Sequence, residues 1–166
     1  MPSEELLLPA LNPDTVLPRT GSNYPEPLKV KVAGRSKRSL GDAVGLKNFG
    51  VNQVHLALGA ASAIRHWHTR QDEFIYVLAG KLTLITDAGE QMLQAGMAAG
   101  FPAGKADGHQ LVNRSPSDAV YLEVGDSRRD RFTNRVSGDE VVYPDDDLTA
   151  TQSTRWNFTH KDGSAY

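Results

Sequence analysis

The sequence predicts an all-β sandwich or barrel, and three observations lead to this fold class. Residues 45–125 form short apolar runs separated at regular intervals by turn residues. The whole chain carries 15 glycines and 9 prolines, which break it into short pieces. No long window keeps the apolar period of a helix. The predicted strands are residues 51–58, 64–68, 74–78, 82–86, 92–95, 97–101, 109–114 and 119–124.

The segments on either side of this region have a different character. Five prolines between residues 9 and 27 predict an extended arm rather than a helix. We therefore divide the chain into an arm at 1–28, a barrel domain at 29–145 and a tail at 146–166. The stretch "VVYPDDDL" predicts a last strand that Pro144 stops. We expect the tail to lie over the barrel or a partner subunit, with disorder as the alternative. The cluster Arg35, Lys37 and Arg38 predicts a solvated loop.

Composition excludes several classes of function. The 166 residues fit one domain, and a net charge of -2 gives no basic excess for a nucleic-acid partner. The chain has no cysteine, so disulfides and thiol nucleophiles are excluded, and a metal must be bound by His, Asp or Glu. The apolar run Leu6 to Leu8 is too short for a signal peptide or a membrane span. We expect no membrane partner and a cytoplasmic location.

The stretch "RHWHTRQDEF" at residues 65–74 has the residue types of a metal site. Residues two apart in a strand point to the same face, so His66 and His68 project together. Arg65 projects to the other face. Asp72 and Glu73 follow after a short polar connection, and their opposite parity lets only one of them point inward.

A further histidine begins another predicted strand. His109 opens "GHQLVN" after a loop rich in glycine and proline, and shares a face with Leu111 and Asn113. Three histidines and one carboxylate suit Zn, Fe(II), Mn, Ni or Co, and closed structural zinc sites usually contain thiolates. Four such ligands would leave open positions for a substrate. By spacing alone, exposed strands that carry histidines without a metal explain the pattern equally well.

Residues near these strands have structural interpretations that we favour. Phe101, Tyr76, Trp67 and Phe49 are predicted to pack in the core, as aromatic residues commonly do. We expect Asn113 to close a turn, His55 to be structural and His160 to be exposed. Tyr121 and Glu123 share one face of a predicted strand whose other face is aliphatic. If the aliphatic face points inward, both residues point outward, which argues against Glu123 as a general base.

The histidine stretch resembles the first motif of the cupin superfamily. Gly59, His66, His68, Glu73 and Gly80 occupy the motif positions, with six residues between Gly59 and His66, one more than is usual. A fifteen-residue region separates this motif from the next, as in compact microbial cupins.

Residues 96–113 resemble the second motif of the cupin superfamily. Gly96, Pro102, Gly104, His109 and Asn113 occupy its positions. The four residues between Gly104 and His109 are two more than is usual. The flanking sequences are similar to those of small bacterial cupins of uncharacterised function.

The resemblance implies a cupin jelly roll, or double-stranded β-helix barrel, with the proline-rich arm and the tail attached. It implies that His66, His68, Glu73 and His109 bind one divalent transition metal, which we expect to be Zn, Fe, Mn or Ni. It also implies a homodimer, to which residues 9–30 would contribute unless the arm folds back on its own chain.

Two functions follow as hypotheses from the resemblance. The protein is a metal-dependent oxygenase, isomerase or lyase acting on a small oxygenated molecule. Alternatively, it binds or senses a small ligand without catalysis. No general acid or base is identifiable from the sequence.

Overall fold

The computed structural model describes residues 9–126, 138–153 and 155–166. Within them the chain is mostly antiparallel β-structure, as the sequence predicts. Two single-turn helices, α1 (Glu26–Lys29) and α2 (Leu40–Ala43), and two 3-10 turns, Pro13–Thr15 and Val30–Val32, complete the elements. The strands are β1 (Arg19–Thr20), β2 (Arg35–Ser39), β3 (Phe49–Leu56), β4 (Trp67–His68), β5 (Glu73–Ala79), β6 (Lys81–Thr86), β7 (Gly89–Gln94), β8 (Ala98–Phe101), β9 (Gln110–Val112), β10 (Ala119–Asp126), β11 (Glu140–Val142), β12 (Thr149–Gln152) and β13 (Trp156–Thr159).

These strands form three sheets with the topology of a jelly roll. The largest has the order β1-β2-β3-β10-β5-β8, the second β13-β12-β11-β4 and the third β7-β6-β9. Each described strand pair is antiparallel. Neighbours in the largest sheet are distant in sequence, since β3 and β5 both pair with β10. Residues about a hundred positions apart in the sequence therefore lie in one sheet.

The predicted loop at Arg35, Lys37 and Arg38 is wrong, because these residues lie in β2. This strand pairs with β3 on one side and β1 on the other. Its three cationic side chains have hydrogen-bond partners, which compensate for their incomplete exposure: Ser62 O for Arg35, Glu123 for Lys37 and Val16 O for Arg38. The density of charge in the sequence suggested a solvated loop, whereas pairing with β1 and β3 makes these residues a strand.

The described part of the N-terminal arm folds back on its own chain. Its strand β1 pairs with β2, and Tyr24 is buried. The Tyr24 hydroxyl accepts a hydrogen bond from Ile64 N at 3.3 Å. The arm is not wholly extended, since Pro27 lies in the first turn of α1, where its missing N–H costs nothing. Residues 1–8, including the Leu6 to Leu8 run, lie outside the described residues.

Two strands lie within residues 146–166. β12 pairs with β11 and β13, and β11 pairs with β4, so this segment extends the sheet that carries His68. Leu148 and Ala150 are buried beside Val141, whereas His160 is only partly exposed and contacts Asp147. The strand predicted before Pro144 is confirmed as β11, but it is not the last strand, since β12 and β13 follow it. Strand pairing thus gives a regular structure to a segment for which the sequence left disorder as an alternative.

Two apolar clusters stabilise the fold. The larger lies between the largest and the third sheet, and the smaller joins the arm to β11 and β12. The prediction of core packing is wrong for Phe49 and Tyr76, which are 46% and 41% exposed. Phe101 does pack against the larger cluster. No helix in the described ranges has the length and apolar character needed to cross a bilayer.

The turn after β5 requires its glycine. Gly80 has a φ of 77°, in the region that favours glycine. A Cβ atom at this position would lie 2.6 Å from Asp118 O. Any side chain would therefore push β10 away from β5, the strand that begins with Glu73.

Candidate metal centre

The four predicted ligands come together where the three sheets meet. His68 lies in β4, His66 precedes it, Glu73 begins β5 and His109 precedes β9. His66 and His109 form a backbone bridge, with N to O distances of 3.2 and 2.8 Å. This bridge holds the ring centres of the two imidazoles 4.7 Å apart. The predicted parity is confirmed, because Ile64 and His66 are buried while Arg65 is bonded to Asp145 outside.

The ring nitrogens of the histidines converge on one carboxylate oxygen. Nε2 of His66 and Nε2 of His68 each lie 3.5 Å from Glu73 Oε2. His109 Nε2 lies 2.7 Å from the same oxygen. Glu73 thus points inward, whereas the Asp72 carboxylate accepts a hydrogen bond from Ala103 N. The sequence expectation that only one of the two acids faces the histidines is confirmed.

The second ring nitrogen fixes the orientation of two of the histidines. His66 Nδ1 hydrogen-bonds to Ile64 O at 2.8 Å, and His68 Nδ1 to Asp139 Oδ2 at 2.5 Å. In metal sites such bonds aim the free Nε2 at the ion. Asp139 is 1% exposed and also accepts a hydrogen bond from Arg70 N. Sequence reasoning missed Asp139, since it lies 71 residues from His68 and belongs to neither motif.

His109 is held by ring stacking instead. Its ring lies parallel to that of Phe101 with the centroids 3.6 Å apart. Its Nδ1 is buried and has no hydrogen-bond partner among the described residues. Phe101 therefore positions a site residue in addition to its predicted packing role.

Burial and mutual contact shift the pKa values of this cluster. Burial acts to raise the pKa of Glu73, but the hydrogen bonds from His109 and His66 outweigh it, and the pKa lies well below its usual range. Burial acts to lower the pKa of His68, yet the Asp139 bond and the Glu73 charge raise it overall. For His109, burial prevails and the pKa is lowered. The cluster thus keeps a carboxylate beside imidazoles that differ in basicity.

The cluster lies at the side of a cavity of about 750 Å³. A set of polar side chains on the largest sheet, here called the polar wall, lines another part: Arg19, Arg35, Lys37, Tyr121 and Glu123. The expectation that Tyr121 and Glu123 point outward is wrong. Tyr121 is 1% exposed in the interior, while the aliphatic residues of β10 form the outer face. Glu123 therefore faces the cavity, where a general base is able to act.

Asn113 has the predicted structural role. Its Nδ2 donates to Leu56 O and Ser117 O, both at 2.9 Å, and its Oδ1 accepts from Ser115 N. The side chain closes the turn between β9 and β10 and does not face the cavity residues.

Comparison with known proteins establishes the family. The chain is 43% identical to a sugar phosphate isomerase from a cupin superfamily of Silicibacter pomeroyi, over 95% of this chain and 96% of that one, with a TM-score of 0.87. The chain belongs to the cupin superfamily. A family model described as "Cupin domain" matches residues 52–125 of this cupin, which include both motifs. No curated protein matches the sequence.

Two further crystal structures resemble this cupin. A putative sugar phosphate isomerase from Acidithiobacillus ferrooxidans is 29% identical over 80% of each chain, with a TM-score of 0.67. The polyketide cyclase RemF from Streptomyces resistomycificus is 21% identical over 70% of this chain and 78% of that one, with a TM-score of 0.57. The cyclase shows similarity of fold alone.

Proposed function

We propose that this cupin is an enzyme with one divalent transition metal, Zn, Fe, Mn or Ni, held by His66, His68, Glu73 and His109. The donor set fits such an ion, since imidazole and carboxylate suit these metals. One ligand atom each from His66, His68 and Glu73 lie within 4.8 Å of one another. His109 reaches the same carboxylate oxygen. When bound, the metal would polarise a substrate oxygen as a Lewis acid.

Isomerisation of a sugar phosphate is the reaction that we favour among the oxygenase, isomerase and lyase classes. The observation that carries it is the match over almost the full chain to the Silicibacter protein named a sugar phosphate isomerase. The cavity has the size typical of a small-molecule site. An aldose or ketose phosphate offers adjacent oxygens to a metal and an anionic group to a cationic surface.

The polar wall supplies that cationic surface. Arg19 bonds to Ser39 Oγ at 2.9 Å, and Arg35 bonds to the carbonyl oxygens of Ser62 and Gly21. Neither guanidinium has a carboxylate partner within the described ranges. Guanidinium groups bind phosphate through paired hydrogen bonds, so these two charges favour a phosphorylated ligand.

An isomerase assay tests this function. The purified protein, reloaded separately with each of the four metals, is incubated with fructose 6-phosphate, mannose 6-phosphate, ribulose 5-phosphate and arabinose 5-phosphate. We expect one aldose–ketose pair to interconvert with the metal and not after chelation. Tight binding of a sugar phosphate without turnover would instead support the alternative, a non-catalytic binding or sensing cupin. If the protein neither binds nor converts any sugar phosphate of the panel, the proposed isomerase function is wrong.

We also propose that the protein is a homodimer. Phe74, Tyr76 and Leu78 are each more than 40% exposed along one face of β5, and exposed apolar patches favour association. Within residues 9–30, Leu17 and Val30 are 85% and 75% exposed, although β1 pairs within the chain. Light scattering of a Phe74→Ser, Tyr76→Ser variant should give half the mass of the unaltered protein. Equal mass would exclude this face as the contact.

A further inference from the structure

Glu123 and Tyr121 lie on the strand next to that of Glu73. β10 pairs with β5 so that Gly125 is opposite Glu73 and Glu123 is opposite Ile75. Glu123 and Glu73 are therefore diagonal neighbours on the inner face of one sheet. Such neighbours are roughly 7–8 Å apart, with somewhat shorter Cβ distances. Both side chains line the same cavity, so a small substrate there would be within reach of the histidine cluster and of Glu123.

The Tyr121 hydroxyl lacks a hydrogen-bond partner in the described parts of the chain, although Tyr121 is 1% exposed and lines the cavity. Ser62 lies nearby, but no hydrogen bond of ordinary geometry joins the two, and Ser62 Oγ accepts from Leu111 N. Burial, with the Glu123 charge, raises the pKa of Tyr121 well above its usual value, so the hydroxyl stays a donor. The hydroxyl oxygen is closed off from the cavity, so Tyr121 packs beside Glu123 without donating to a ligand.

The Glu123 carboxylate is oriented from one side. Lys37 Nζ lies 2.9 Å from both of its oxygens, and Asn52 Nδ2 donates to Oε1 at 3.2 Å. The side chain of Glu123 keeps 21% of its surface exposed, and it lines the cavity. A carboxylate has about four acceptor positions, so it can accept a further proton from the cavity side. A glutamate that is both anchored and accessible has the properties of a general base.

We propose that Glu123 is the catalytic residue that transfers the proton in isomerisation. This inference rests on the proposed sugar phosphate isomerase function. It assigns proton transfer to a residue outside both sequence motifs.

The reaction is balanced without any oxidant or reductant. Glu123 takes the proton from the carbon beside the carbonyl, and the C–H electron pair forms the C=C bond of an enediol. The carbonyl π electrons move to its oxygen. The proton of the adjacent hydroxyl then passes to this former carbonyl oxygen, the carbon that lost its hydrogen becomes the new carbonyl carbon, and Glu123 gives its proton to the former carbonyl carbon.

Exchange of hydrogen with D2O tests this assignment directly, because the proton removed from carbon equilibrates with solvent. The unaltered protein and its variants, loaded with the active metal, are incubated with the ketose and aldose phosphates that interconvert, and NMR follows deuterium at carbon. We expect Glu123→Gln to slow exchange and turnover by about 100-fold or more, the usual range for loss of a general base. Tyr121→Phe should leave both within threefold of the unaltered protein, because its hydroxyl is closed off from the cavity. Metal content should stay unchanged.

Two further variants separate catalysis from a structural role. If Glu123 only anchors Lys37, then Lys37→Gln will reduce kcat as much as Glu123→Gln does. We expect Lys37→Gln to raise KM more than it lowers kcat. Formate should partly restore activity to Glu123→Ala, since it supplies a carboxylate to the vacated space. Glu90→Gln is the matched control, because Glu90 pairs with Arg114 on the surface, and its activity should equal that of the unaltered protein.

The outcomes distinguish the two proposals. Exchange within threefold of the unaltered protein in Glu123→Gln, no rescue of Glu123→Ala by formate, or equal loss of kcat in Lys37→Gln would overturn the role of Glu123 and leave the isomerase function standing. Absence of both exchange and isomerisation in the unaltered protein, with each of the four metals, would overturn the isomerase function and this inference together.

Discussion

The histidine cluster and the polar wall line the same cavity but are assembled in different ways. Three of the four cluster residues come from one short stretch of sequence, yet they lie where three sheets meet. The polar wall comes from residues about a hundred positions apart, yet it lies on one sheet through the order β1-β2-β3-β10. The three histidines of the cluster converge on the Glu73 carboxylate, whereas the two arginines of the polar wall keep donors for a ligand.

This difference indicates a division of roles. A group of imidazoles closed around one carboxylate can hold a metal but offers little else to bind a substrate. A wall of donors and cations can hold an anionic substrate but has no metal-ligand geometry. Changes in the cluster should therefore alter metal content, and changes in the wall should alter substrate binding and turnover at constant metal content.

The largest expected effect is the loss of metal from the cluster. A His66→Ala, His68→Ala variant should contain almost none, because two of four ligands are gone. Elemental analysis measures the metal content of this purified double variant, and Glu123→Gln in the polar wall is measured for comparison. His55→Ala is the control, since His55 contacts Asp118 at the surface. Equal metal content in the double variant and the unaltered protein would exclude these histidines as ligands.

Mild acid should remove metal by the same chemistry. Neutral imidazole is the form that binds metal, and an ordinary histidine titrates near pH ~6.5. Burial acts to lower the pKa of His68, but Asp139 and Glu73 raise it overall, so protons compete for this ligand already above that value. Metal content after dialysis at stepwise lower pH should fall between about pH 7 and 5. Constant metal content across this range would argue against histidine ligation.

Asp139→Asn should weaken metal binding without removing the ligands. The carboxylate bonded to His68 Nδ1 orients the ring and increases its basicity, and loss of such a partner typically costs 10–100-fold in metal affinity. Competition with a chelator measures the change in Kd. Asp118→Asn, which alters only the surface pair with His55, is the control. An unchanged Kd would show that Asp139 has no influence on the metal.

The smallest of these effects is expected for Arg19 in the polar wall. Arg19→Ala should raise the KM for a phosphorylated substrate by roughly 10-fold, since a hydrogen bond to a charged group contributes about 1.5–3 kcal/mol. Metal content should not change, because Arg19 contacts Ser39 and none of the cluster residues. Arg114→Ala, whose guanidinium pairs with Glu90 on the surface, provides the control. A loss of metal in Arg19→Ala would contradict the assignment of metal binding to the histidine cluster and of substrate binding to the polar wall.

The sequence by itself determined the strand pattern and the composition of the histidine cluster. Alternation places His66 and His68 on one face, and the one-residue offset between Asp72 and Glu73 lets only one of them point inward. Both are local consequences of the two-residue period of a strand. The positions of the four cluster residues in the two cupin motifs were also readable, because motif spacing is a property of the chain.

The tertiary structure alone decided the polar wall and Asp139. Alternation shows which residues share a face, but it does not show which face is buried. In β10 the aliphatic face points out and the face with Tyr121 and Glu123 points in, contrary to expectation. Pairing of β2 with β3 brings Lys37 to Glu123, 86 residues away, and β11 brings Asp139 to His68. Such contacts depend on strand order and register, which are set when the sheets pack and leave no local pattern in the sequence.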